Sequence, residues 1–100
     1  MEIKITKNKD GVTAGLIGRL DTPAAQEIAP QMNALKKEAE STIVLECGEL
    51  EYISSSGLRL FLGLRKAAAE KGGKVIVKDI SDSIRSVFMM TGFLNLFDIQ

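Results

Sequence analysis

Residues 46–65 read ECGELEYISSSGLRLFLGLR: the end of an apolar strand, an acidic stretch, three serines and a glycine, then an amphipathic run. Just upstream, residues 42–46 (TIVLE) are short, β-branched and apolar, the composition of a central strand. Gly48 is expected to break that strand, leaving an acidic loop whose Tyr52 and Ile53 anchor it in the core. A helix is then expected from about Ser56 to Lys71, closed by Gly72-Gly73, which tolerate the left-handed backbone of a C-cap. At 100° per residue, Arg59, Gly63, Lys66 and Glu70 form one polar stripe, and Leu60, Phe61, Leu64 and Ala68 face the sheet. Leu62 falls at the edge of the polar stripe. It is either an exposed apolar contact flanked by Arg59 and Lys66 or a residue packed under the C-terminal tail.

Upstream of this stretch, Ile3 and Ile5 alternate with Glu2, Lys4 and Thr6, the period-2 pattern of a strand with one buried face. Asn8-Lys9-Asp10-Gly11 supplies turn residues, and Val12, Ala14 and Leu16 resume the alternation, which predicts a hairpin. Gly15 and Gly18 weaken the second strand or mark a bulge. Thr22-Pro23 signals a helix start, the hydroxyl capping free amides and the proline placed where its missing N–H costs nothing. Residues 24–40 follow as a helix with Ile28, Met32, Leu35 and Ala39 on its apolar stripe. Pro30 predicts a kink or restart within it.

Downstream, Val75, Ile76 and Val77 predict another buried strand. Ser81 or Asp82 caps a last helix carrying Ile84, Val87 and Phe88 up to Gly92. Phe93, Leu94, Leu96, Phe97 and Ile99 are too apolar to be left in water. With Met89 and Met90 they are assigned to the core, a dimer contact being the alternative. The order β-β-α-β-α-β-α makes the fold α/β, a mixed sheet covered mainly by helices. Without a repeat, linker or low-complexity tract, residues 1–100 are expected to form one domain.

Composition narrows the chemistry. The chain carries 13 Lys plus Arg against 13 Asp plus Glu, no His, and Cys47 as its one cysteine. Balanced charge argues against nucleic acid or an anionic membrane as partner, because neutralising several phosphates needs clustered cations. Missing His and a lone Cys argue against a metal site and against imidazole-activated nucleophiles. There is no G-x-x-x-x-G-K-[ST] phosphate loop, and no cofactor is expected. An enzyme is therefore the weaker class. Cys47 reads as a small buried hydrophobe, and a lone cysteine with no membrane-length apolar run suits a cytoplasmic protein.

The serines remain. At a helix start, unpaired N–H groups and a partial positive charge favour a phosphoryl group on a nearby hydroxyl, with Gly57 allowing close approach by a partner. The plainer alternative is that one serine caps the helix, the others are solvated and the glycine eases a bend.

The whole chain resembles the STAS domains, and within them the anti-sigma factor antagonists of bacterial partner-switching systems. The resemblance rests on Gly18-Arg19-Leu20-Asp21, Ile43-Val44-Leu45, the segment from Leu50 through Ser54-Ser55-Ser56-Gly57 to Arg59, Lys71-Gly72-Gly73, Thr91-Gly92-Phe93 and Leu96-Phe97. It implies a module whose unphosphorylated form binds an anti-sigma factor that is also a serine protein kinase, releasing the sigma factor. Phosphorylation reverses that binding, and a serine phosphatase restores it. The family pattern at this turn is Asp-Ser-Ser/Thr-Gly, with the first hydroxyl residue phosphorylated. Here that residue is Ser55, with Ser54 in place of the Asp, and Ser54 and Ser56 are the alternatives. Asp21, Ser54, Ser56, Gly57, Arg59 and Leu62 are the expected partner-binding residues, although Asp21 next to Thr22 also reads as a helix cap. A phosphoryl group at Ser55 is expected to lie beside Glu46, Glu49 and Glu51. The competing role within the same resemblance is a stand-alone partner switch or complex subunit that does not act on a sigma factor.

Overall fold

The computed structural model describes residues 1–100. Strands β1 (Glu2–Asn8) and β2 (Gly11–Leu20) form a hairpin. Helix α1 (Thr22–Leu35) tightens into a 3₁₀ turn (Lys36–Glu38) and leads to β3 (Thr42–Ile53). Then come α2 (Ser55–Lys71), β4 (Lys74–Lys78), α3 (Asp82–Thr91), a 3₁₀ turn (Phe93–Asn95) and β5 (Asp98–Ile99). The expected order holds, with the apolar tail adding a fifth strand.

The sheet order is β1-β2-β3-β4-β5, antiparallel between β1 and β2 and parallel thereafter. Three successive parallel connections step the same way across the sheet. Right-handed crossovers therefore place α1, α2 and α3 on one face. The burial pattern agrees: Val12, Ala14 and Leu16 on β2 and Ile43, Leu45 and Cys47 on β3 are buried, while Thr13, Gly15, Val44 and Glu46 between them are half exposed. The helical cover is one-sided.

Asn8 Oδ1 accepts from the amides of Asp10 at 3.0 Å and Gly11 at 2.9 Å, which fixes the hairpin turn. The buried face expected for β1 is only half formed: Ile3 is half-buried and Ile5 is exposed. β1 lies at the sheet edge beyond the first crossover helix, so little covers it. Gly15 and Gly18 do mark irregularities, since the β2–β3 register shifts between Gly15 and Ile17 and between Gly18 and Arg19. Those shifts keep β2 paired with β3 well beyond Gly48. The strand expected to stop at Gly48 instead runs to Ile53, and no acidic loop forms.

Helix α1 also differs from expectation. It passes through Pro30 without restarting, because Ile28, Met32 and Leu35 are buried on both sides of the proline and one lost backbone bond does not outweigh that burial. The tightening comes later, after Leu35. Helices α2 and α3 end as expected, with Gly72 at φ 83° and Gly92 at φ 79° in the left-handed region.

Phe61, Phe88, Phe93 and Phe97 form one aromatic cluster joining α2, α3 and the tail, with ring centroids 5.5–6.4 Å apart. Met89 and Met90 do not join it; they are 65% and 79% exposed. Ile84 and Phe88 define the buried stripe of α3, and the next two residues point 100° and 200° away from it.

Candidate functional site

The parallel strands β2 and β3 end side by side, with Leu20 opposite Ile53, and the Ser54 N–H donates to the Leu20 carbonyl at 2.8 Å. Helices α1 and α2 therefore start next to each other. Asp21 caps α1, its Oδ1 accepting from the Ala24 amide at 2.9 Å. Thr22, expected as the cap, is the first helical residue; the carboxylate one residue earlier takes the free amide. Ser54 caps α2, its Oγ accepting from the Gly57 amide at 3.2 Å, so α2 begins at Ser55 rather than Ser56.

The serines thus have separate jobs. Ser54 is the cap. Ser56 is half-buried and its Oγ donates to Thr22 Oγ1 at 3.5 Å, linking the two helix starts. Ser55 is exposed, and its hydroxyl makes no hydrogen bond within the chain. Arg59 stands one helical turn after Ser55, exposed and unpaired. Leu62 is 37% exposed on the same helix and is not among the apolar residues packed on the core. Arg65 meets the tail instead, its Nε donating to the Leu96 carbonyl at 2.7 Å.

Gly57 has a different role from the one expected. It is buried, and a Cβ there would lie 2.7 Å from Leu20 Cγ and 2.9 Å from Ile53 Cγ1. Its missing side chain serves the close approach of α2 to the strand ends, with no surface left for a partner. Gly57→Ala would gain up to about 1 kcal/mol of helix propensity. Overpacking costs about 1–3 kcal/mol. The expected net result is destabilisation, read as a lower urea midpoint; an unchanged or raised midpoint would show that the site relaxes freely.

Because β3 stays extended at about 3.3 Å per residue, the three glutamates are strung along it rather than gathered at Ser55. Glu46 pairs in register with Lys78, far from the serines. Burial, followed by a hydrogen bond with Asp79, raises its carboxyl above the usual range. Glu51 alone is near the strand end. The new charge would therefore meet less acidic surroundings than the sequence order suggests.

Ile53 anchors the strand end in the core, but Tyr52 is 40% exposed. The Arg19 guanidinium carbon lies 4.5 Å from the Tyr52 ring centroid. That pairing was hidden in the sequence, because it depends on the shifted register that sets Arg19 opposite Tyr52. Cys47 is buried, and burial above all, with Glu46 and Asp79 adding to it, pushes its thiol up to about 12. Such a thiol is inert as a nucleophile at neutral pH.

No helix is long and apolar enough to cross a membrane. The family model described as STAS domain matches residues 2–100. BtrV of Bordetella bronchiseptica, which bears the name of an anti-sigma factor antagonist, is 32% identical over 99 residues, covering 97% of this chain and 85% of its own length. Among solved structures, an anti-sigma-factor antagonist (STAS) domain protein from Planctomyces limnophilus aligns with a TM-score of 0.89 at 17% identity, over 98% of this chain and 87% of that one. The phosphorylated form of the Bacillus cell fate determinant SpoIIAA aligns with a TM-score of 0.75 at 23% identity, over 99% of this chain and 91% of that one. Both share the fold described above.

Proposed function

The chain belongs to the STAS domain family, and from that premise we propose that it is an anti-sigma factor antagonist. Unphosphorylated, it binds an anti-sigma factor that is also a serine protein kinase, and the sigma factor is released. Phosphorylation at Ser55 switches the binding off, and a serine phosphatase restores it. The STAS domain is a cytoplasmic binding module acted on by enzymes, with no catalysis of its own.

The observation that carries this reading is the division of labour among the serines: Ser54 caps α2, Ser56 is half-buried against Thr22, and Ser55 alone is exposed with a free hydroxyl. Its Oγ attacks the γ-phosphorus of ATP, the hydroxyl proton passes to a base on the kinase and ADP leaves. The product carries about −1.5 to −2 charges at pH 7. Asp21, Ser54, Ser56, Arg59 and Leu62 surround or follow Ser55 and form the binding surface. Leu62 supplies apolar contact area, and Arg59 supplies a cation which the phosphoserine one turn away would engage.

Incubation with ATP, magnesium and the serine kinases encoded in the same genome, followed by fragment mass spectrometry, tests the assignment. One phosphoryl group on Ser55 is the expected result. Modification of Ser54 or Ser56 would overturn the site. Absence of modification by every kinase, together with a stable complex with a transport or sensory protein, would overturn the function.

A further inference from the structure

We propose that Arg19 and Tyr52 form a carboxylate-binding platform that carries the partner interface from the serines onto the helix-free face of the sheet. The inference rests on the antagonist reading above and names the chemistry of that partner: an acidic side chain on the kinase.

Arg19 and Tyr52 are directly paired across β2 and β3. Their neighbours Leu20 and Ile53 are buried on the helix side, so strand alternation directs Arg19 and Tyr52 to the opposite face. They lie at the strand ends that lead into Asp21 and Ser54, which continues the surface of the serine site. The guanidinium carbon sits over the ring, 4.5 Å from its centroid. The arginine has no salt bridge or hydrogen bond within the chain. Asp21, two residues on, is committed to its cap, and the ion pairs that do form, Lys4 with Glu2 and Lys7 with Glu38, involve other residues.

Neither side chain is needed for the core, since both are exposed. A guanidinium held over a ring is ready for a bidentate carboxylate, and less conformational freedom is lost when one arrives. Arg and Tyr are also the residue types that most often dominate interface energetics. A polyanion is the poorer fit on a chain with 13 cationic and 13 anionic side chains.

Calorimetric titration of the intact chain against the kinase that phosphorylates it provides the test. Arg19→Gln should weaken binding about 10- to 50-fold and flatten its salt dependence. Arg19→Lys should lose about 5- to 10-fold, because an ammonium neither stacks nor forms the fork. Tyr52→Ala should lose about 5- to 10-fold and Tyr52→Phe, which keeps the ring, less than about 2-fold. Thermal melts close to that of the parent chain would exclude misfolding. Arg19→Gln and Tyr52→Ala both binding as tightly as the parent would overturn the platform. So would loss of affinity for a single-stranded oligonucleotide without loss for the kinase. Ser55→Asp run alongside separates the two ideas: if it binds normally while Arg19→Gln does not, the platform stands and the switch falls. The reverse pattern leaves the switch and removes the platform.

Discussion

Ser55→Asp is expected to weaken binding to the proposed anti-sigma kinase about 30- to 1000-fold while leaving the fold intact. Two effects of the added charge act on different equilibria. Within the free chain, the carboxylate sits in the first turn of α2, where the helix dipole favours it by about 0.3–1 kcal/mol. Arg59, one turn on, adds a few tenths of a kcal/mol. Folding is therefore unchanged or slightly strengthened. At an interface, the same group must shed water and meet whatever surface accepted a neutral hydroxyl, at a cost of about 2–5 kcal/mol for an unpaired buried charge. At about 1.4 kcal/mol per tenfold, that interface cost corresponds to roughly 1.5 to 3.5 orders of magnitude in affinity. The Glu46, Glu49 and Glu51 side chains are strung along β3, so the effect is one of interface desolvation rather than of local repulsion. Ser55→Ala should keep binding within a few-fold and lose phosphorylation. Calorimetry and circular dichroism check both halves, and undiminished binding by Ser55→Asp would sink the proposed switch.

Phe61→Ala is expected to cost about 3–5 kcal/mol of folding free energy, against a total of about 5–15 kcal/mol for a domain of this kind. Phe61 is fully buried and makes edge-on contacts with Phe88 at 6.2 Å and Phe97 at 6.3 Å. Each such pair is worth about 0.5–1.5 kcal/mol beyond simple burial. Losing the ring empties the point where α2, α3 and the C-terminal tail meet, and the four-phenylalanine cluster cannot close over the gap without moving a helix. Urea unfolding should show a clear fall in midpoint at unchanged slope, with Phe61→Leu losing about half as much or less. A loss under about 1.5 kcal/mol would mean that the cluster collapses onto the space. Because Phe61 faces the core and Ser55 faces solvent, the fraction that stays folded should bind its partner normally.

Much of the molecule was legible in the residues. Glycines 72 and 92 marked helix ends because they supply backbone that other residues adopt at a cost. Phe61, Leu64 and Ala68 pointed at the sheet because helical spacing left them no other common face. Other features were not legible, for identifiable reasons. Gly48 looks like a strand end locally, but pairing of residues 49–53 with β2 supplies backbone bonds that no local signal reveals. Met89 and Met90 look like core by composition, yet α3 has only one buried stripe and they lie off it. Gly57 looks like an opening for a partner, and only the approach of Leu20 and Ile53 shows that the space is already taken.

Local sequence accounts for what depends on neighbours along the chain: the order of strands and helices, the glycines that end α2 and α3, and the presence of three hydroxyls at the mouth of a helix. It also carried the family resemblance. Folding selects which of those hydroxyls is free, through hydrogen bonds reaching forward to Gly57 and across to Thr22. It likewise placed Arg19 over Tyr52 and moved Glu46 away from Ser55. Those outcomes turn on strand register, and register is set by pairing between residues some thirty positions apart in the chain, at distances local propensity does not reach.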